Sequence, residues 1–129
     1  MIRPAPSPEA APFWAGTREH RLLLPRCVEC GCWRHPQAPG CPCGATETAW
    51  EPASGRARLV SYTVVRRAAH PALAADLPYT LLLVELDEGP RLVSGLAGEG
   101  HALHVDDRLA VRFDDVDDEL TLPRFELAR

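Results

Sequence analysis

A chain of 129 residues, 46% of them hydrophobic, has material for one compact domain with a small appendage, and none of its apolar runs approaches the ~20 residues of a membrane span. Its 18 acids and 14 basic residues, all arginine, give a formal charge of −4; residues 1–58 hold seven arginines against five acids, and residues 59–129 seven against thirteen. That distribution argues against a generic nucleic-acid binder, which needs a basic track along the phosphates, and the lack of lysine reads as coding bias.

The first twelve residues carry four prolines and are expected to form a flexible, extended arm, residues 1–12. The opening has no apolar run of the secretory kind, so a reducing, cytoplasmic setting is the expectation. Phe13 and Trp14, followed by Thr17-Arg18-Glu19-His20-Arg21, predict a short helix that runs into a strand at Leu22-Leu23-Leu24.

Five cysteines then crowd into seventeen positions: Cys27, Cys30, Cys32, Cys41 and Cys43. Cys27-Val28-Glu29-Cys30-Gly31 has the gap that turns two thiolates onto one ion, with glycine permitting the tight backbone. Cys41-Pro42-Cys43-Gly44 is one residue shorter than a second such turn requires, so Cys32 and His35 compete for the place of a poorly positioned ligand. A structural zinc on Cys27, Cys30, Cys41 and Cys43 is the expectation. The alternatives are an iron centre on four thiolates, disulfides that leave one thiol over, free thiols, or a degenerate site in a module held by packing alone. Trp33 and Trp50 are expected to cover the metal, and residues 13–52 form the helix-and-ribbon unit.

From Ser54-Gly55 the pattern is β, and residues 53–129 make the larger module. Residues 55–65 read as a long first strand, residues 68–78 as a proline-bounded loop with room for a helical turn, and residues 79–86 as a central strand covered on both faces. Asp87-Glu88-Gly89-Pro90 marks a hairpin turn into residues 91–96; residues 109–113 and 120–126 supply the last two strands. The acidic run from Asp114 to Glu119 reads as a solvated turn, since it lacks the glycine and ligand alternation of a calcium loop. Five strands in this arrangement suit a small closed barrel, which leaves no open edge. Periodicity does not choose between an OB-fold and other small barrels.

The order of motifs carries a resemblance. Cysteine knuckles precede Trp50-Glu51-Pro52-Ala53-Ser54-Gly55-Arg56-Ala57, then Val60-Ser61-Tyr62-Thr63-Val64-Val65, His70-Pro71, Leu77-Pro78-Tyr79, Val84-Glu85-Leu86-Asp87-Glu88-Gly89-Pro90-Arg91 and a closing Leu122-Pro123-Arg124-Phe125. Over roughly residues 13–127 the chain resembles the acyl-CoA-associated family of zinc-ribbon plus OB-fold proteins, once known only as a domain of unknown function. The resemblance implies a mainly β fold: a short helix, a rubredoxin-like zinc ribbon and a five-stranded OB barrel. It also implies a noncatalytic subunit that docks to a thiolase-fold enzyme (aldolase, thiolase or acyltransferase) or a hotdog-fold, MaoC-like hydratase. Such a subunit helps seat acyl-CoA within a hetero-oligomer, steroid or lipid side-chain degradation being one setting. The shortened Cys41-Pro42-Cys43 departs from the family pattern.

A search for chemistry in the residues agrees with an accessory role: there is no Gly-x-Ser-x-Gly, phosphate-cradling glycine loop or His-Glu-x-x-His. Arg66, Arg67 and His70, with Tyr79 closing the loop, are the candidate contacts to CoA or a partner, because guanidinium forks suit phosphates; ordinary strand-end arginines are the competing reading. His101 and His104, near Asp106 and Asp107, read as surface residues rather than a second metal site. Two other functions compete with the accessory role: a single-stranded nucleic-acid-binding OB-fold, which the acidic larger module opposes, and an independent acyl-thioester hydrolase or lyase.

Overall fold

The computed structural model describes residues 7–38, 40–45, 47–67, 70, 71, 74, 77–98 and 102–128. Pro8 opens a short 3-10 turn, Pro8–Ala10, and Pro12 lies in the first turn of helix α1, Ala11–Arg18. A first-turn proline has no N–H to leave unsatisfied and its fixed φ suits a helix. The stretch read as extended up to residue 12 is therefore helical from Pro8; residues 1–6 lie outside the described residues.

Phe13, Gly16 and Thr17 form the buried stripe of α1. Gly16 lets the helix close on the following strand: a Cβ there would lie 2.7 Å from Leu23 Cγ. The chain then turns through His20, in the left-handed region at φ 58°. The His20 imidazole stacks on Phe113 with ring centroids 5.1 Å apart, and its Nε2 lies 2.9 Å from an Asp115 carboxylate oxygen. These contacts tie the helix to the larger module.

Strands β1, Leu23–Cys27, and β2, Thr48–Pro52, form an antiparallel pair running from Leu23↔Pro52 to Cys27↔Thr48. β2 was not legible as a strand: it has five residues, ends in proline and has no fully buried position.

The other strands are β3, Arg56–Val65; β4, Tyr79–Leu86; β5, Arg91–Leu96; β6, Arg108–Asp115; and β7, Thr121–Leu127. They close into a five-stranded barrel in the order β3-β4-β5-β7-β6, with β5 and β7 parallel and the other pairs antiparallel. A register shift between Leu59 and Ser61 bends β3, so residues 56–58 pair with β6 while the strand follows β4 along its length. Gly55, at φ 79°, feeds this corner; a Cβ there would meet Val111 Cγ1 at 2.5 Å. The fold is mainly β, as the residues predict. One expectation needs correction. β4 is not covered on both faces: Leu82, Val84 and Leu86 are buried, whereas Leu81, Leu83 and Glu85 are half-buried, because the barrel has one interior.

Leu59, Val84, Leu109 and Phe125, all at most 1% exposed, fill that interior, and Phe13, Leu22 and Leu24 belong to the same buried cluster. One apolar core thus joins helix, ribbon and barrel. No helix among the described residues is long and apolar enough to cross a membrane. Most of the loop at 68–78 lies outside the described residues.

Part of the acidic run is structural, not merely solvated: Asp114 pairs with Arg124, Asp115 accepts from Thr121, and Asp117 accepts the N–H groups of Glu119 and Leu120. On the barrel wall Glu85 accepts from Arg58 and Arg91 on the two flanking strands, and the Arg58 bond, then the Arg91 bond, hold its carboxyl below the ordinary value of 4.5. A carboxylate with a depressed folded pKa stabilises the fold above its unfolded value and loses that contribution as pH falls through the folded one. Glu85→Gln is expected to melt below the parent at neutral pH, with the gap closing as pH falls below 4.5; calorimetry across pH checks this.

Candidate metal centre

Two glycine-closed turns build the centre. Cys27 ends β1, and the chain folds back so that the Gly31 N–H donates to the Cys27 carbonyl at 3.0 Å, with Gly31 at φ 78°. In the second turn the Gly44 N–H donates to the Cys41 carbonyl at 3.0 Å, with Gly44 at φ 87°. The short spacing of Cys41 and Cys43 does not keep their sulfurs apart. Cys27 Sγ lies 3.6 Å from Cys43 Sγ, Cys30 Sγ lies 3.4 Å from Cys41 Sγ, and all four sulfurs fall within 4.8 Å of one another. A tetrahedral ion with metal–sulfur bonds of about 2.3 Å needs sulfurs about 3.8 Å apart, so the set fits zinc closely.

Cys27 and Cys41 are buried, Cys30 and Cys43 exposed. The Cys30 backbone N–H pulls the Cys27 thiol down to about 6, with the side chains of Cys30 and Cys43 adding to the effect. The Ala45 backbone N–H also lowers Cys43, but hydrogen bonding with Cys41, Cys27 and Cys30, together with desolvation, outweighs it and pushes that thiol up to about 12. Cys27 thus gives up its proton before Cys43 does, and a bound cation must displace the Cys43 proton.

Cys32 and His35 stand outside the group of four; His35 is exposed, with Nδ1 accepting the Gln37 N–H. Trp33 and Trp50, expected over the metal, are partly buried and pack against the shared core. Arg26 organises the first turn. Its guanidinium lies 4.9 Å from the centroid of the Trp33 ring, its Nε donates to the Gly31 carbonyl at 2.9 Å, and its Nη1 donates to Glu51 at 3.2 Å. Nothing in the spacing of Arg26 marks it out, apart from its place beside Cys27.

The other candidates lie on the barrel. Arg66 and Arg67 are exposed just past β3, His70 is exposed, and half-buried Tyr79 starts β4 opposite Val65. The apolar loop that was to flank them falls largely outside the described residues, as does His101. His104 is exposed, Asp107 accepts the His104 backbone N–H and Asp106 pairs with Arg58, so the two acids are engaged locally. A feature the sequence does not disclose is a largely apolar cleft of about 310 Å³ where helix, ribbon and barrel meet. Phe13 and Trp14, Pro36, Leu92 on β5 and Leu122 on β7 line it, with Arg124 also on the lining.

Comparison with known proteins agrees with this architecture. Residues 14–49 match the ChsH2 rubredoxin-like zinc ribbon domain and residues 50–114 the ChsH2 C-terminal OB-fold domain; the chain belongs to this family. It is 36% identical, over 98% of its length, to a probable enoyl-CoA hydratase alpha subunit of Thermomonospora curvata. To the 3-oxo-4,17-pregnadiene-20-carboxyl-CoA hydratase alpha subunit of Mycobacterium tuberculosis it is 32% identical over 76%. The chain spans only 40% and 31% of those two proteins. A DUF35 domain-containing scaffold protein of Pyrococcus furiosus is 34% identical over 65% of this chain and 62% of its own length. Among solved structures, a chain of the Ltp2-ChsH2(DUF35) aldolase superposes with a TM-score of 0.87 and 34% identity, covering 98% of this chain and 100% of that one.

Because Arg26 joins both strands and the first turn, Arg26→Ala is expected to loosen the ribbon by about 1–2 kcal/mol while leaving barrel melting unchanged. Denaturation followed by tryptophan fluorescence for the ribbon and by far-ultraviolet circular dichroism for the barrel checks it.

Proposed function

We propose that this chain is a noncatalytic accessory subunit of an acyl-CoA-processing complex, docking to a thiolase-fold aldolase and helping to seat the acyl-CoA. One observation carries the reading: the likeness to the aldolase-associated chain extends over essentially all of both molecules. The scaffold relative supports a platform role. In this reading the partner performs the chemistry and this subunit supplies shape.

Each part of the fold has a task in that role. Cys27, Cys30, Cys41 and Cys43 would hold zinc, which when bound is a redox-inert cross-link between the two turns. Exposed apolar side chains on the barrel, among them Val93 at 71% and Tyr62 at 42%, offer surface to a partner. Arg66 and Arg67 present unburied guanidinium groups to the phosphates of CoA, with His70 and Tyr79 beside them.

The names of two relatives, both hydratase alpha subunits, favour a second partner class, a hydratase, and one of them names a 3-oxo-4,17-pregnadiene-20-carboxyl-CoA substrate, which favours a steroid acyl-CoA. This chain matches only part of those alpha subunits, so it corresponds to the accessory portion of a larger hydratase subunit in that reading.

Co-expression with a thiolase-fold aldolase from the same genome is expected to yield a stable hetero-oligomer on size exclusion, and the isolated chain is expected to leave a panel of acyl-CoA thioesters unchanged. Turnover of a thioester by the isolated chain would overturn the accessory reading. Separate migration from the aldolase, with capture of a co-expressed hydratase, would transfer the reading to the second partner class.

A further inference from the structure

Beyond its four cysteines the ribbon buries a cation. Arg34 is only 9% exposed, and its Nε and Nη1 are buried without a hydrogen-bond partner among the described residues; Nη2 alone donates, to Thr48 Oγ1. A guanidinium withdrawn from water needs negative charge nearby.

The strand register shows where on the ribbon it lies. The Cys27 N–H donates to the Cys32 carbonyl and the Arg34 N–H to the Pro25 carbonyl, around the Arg26↔Trp33 bridge, so residues 32–34 run antiparallel to β1 on the side away from β2. Residues directly opposite share a face. Arg34, Pro25 and Trp50 therefore form one row, and Cys32, Cys27 and Thr48 the next row on the same face. The Arg34 side chain crosses diagonally from its own row to Thr48, the residue directly opposite Cys27. Glu51 does not compensate it, since that carboxylate lies on the opposite face and pairs with Arg26.

We infer that Arg34 is the positioning cation of the metal centre: its guanidinium offsets the charge of the thiolate cluster and holds the metal-bound form together. The inference rests on the zinc reading given above. Four thiolates around a dication leave a net double negative charge, which a buried cation beside Cys27 stabilises. Thr48 fixes the group in place, and Nε and Nη1 remain without a hydrogen-bond partner among the described residues. Arg34 thereby acts on the metal through its ligands, as outer-layer partners of metal sites do.

The test compares the zinc-loaded parent, Arg34→Met, which keeps length and apolar packing, and Arg34→Lys, which keeps charge. Zinc transfer to a chromogenic chelator should be roughly 10–100-fold faster for Arg34→Met and within a few-fold of the parent for Arg34→Lys. In the cobalt-substituted proteins, the thiolate-to-metal charge-transfer band should move to lower energy in Arg34→Met alone, because removing a nearby cation raises the sulfur orbitals. A purely structural arginine would leave that band in place. Parent-like release and an unshifted band in a folded Arg34→Met would overturn the inference, as would Arg34→Lys releasing zinc as fast as Arg34→Met. Should Arg34→Met fail to fold, release from Arg34→Lys decides: a parent-like rate supports the role of charge, and a rate 10-fold or more above the parent's (roughly the lower bound for such partners) overturns it. A parent chain that binds neither zinc nor cobalt would instead overturn the zinc reading, and the inference with it.

Discussion

Four sulfurs from two short turns meet within 4.8 Å of one another, and the rest of the ribbon depends on that convergence. Between Cys27 and Thr48 the chain runs twenty residues, and the described ones form no regular strand or helix. A segment of this size buries too little apolar surface to hold a shape alone, and small domains of the kind ordinarily need a metal or disulfides. Each turn uses a glycine at positive φ to bring its cysteines around, so the backbone prepares the site before any ion binds.

The clamped ribbon abuts the barrel, and the two share a core. Leu22 and Leu24 lie just before and within β1, whose last residue is Cys27, and both pack in the same cluster as Leu59 and Phe125. Helix α1 adds Phe13 from above, and His20 pins its far end to Phe113 and Asp115 on β6. The cleft lined by Phe13, Pro36, Leu92 and Leu122 exists only where these three parts meet, so its shape depends on the ribbon remaining folded. A platform with such a seam suits a subunit that fits another protein's surface.

Much of this was legible in the residues. Alternation in Ala57 and Leu59, and the turn chemistry of Asp87-Glu88-Gly89-Pro90, mark the strands because period and punctuation are local properties. The cysteine spacing marks the centre for the same reason. Other features depend on contacts far apart in sequence. β2 takes its form from pairing with β1, the helical start at Pro8 follows from burying Ala10 and Phe13, and the cleft needs three separate segments. Arg34 is the clearest case: an arginine reads as a surface residue until the register places it opposite Pro25, in the row next to Cys27's, with its side chain bonded to Thr48.

The most direct measurement is hydrogen exchange on the zinc-loaded chain beside the Cys27→Ser, Cys30→Ser double variant. The account predicts that residues 23–52 lose protection in the variant while the strands from Arg56 to Leu127 keep theirs. Equal protection of the ribbon in both proteins would contradict a thiolate clamp and leave packing alone as its support.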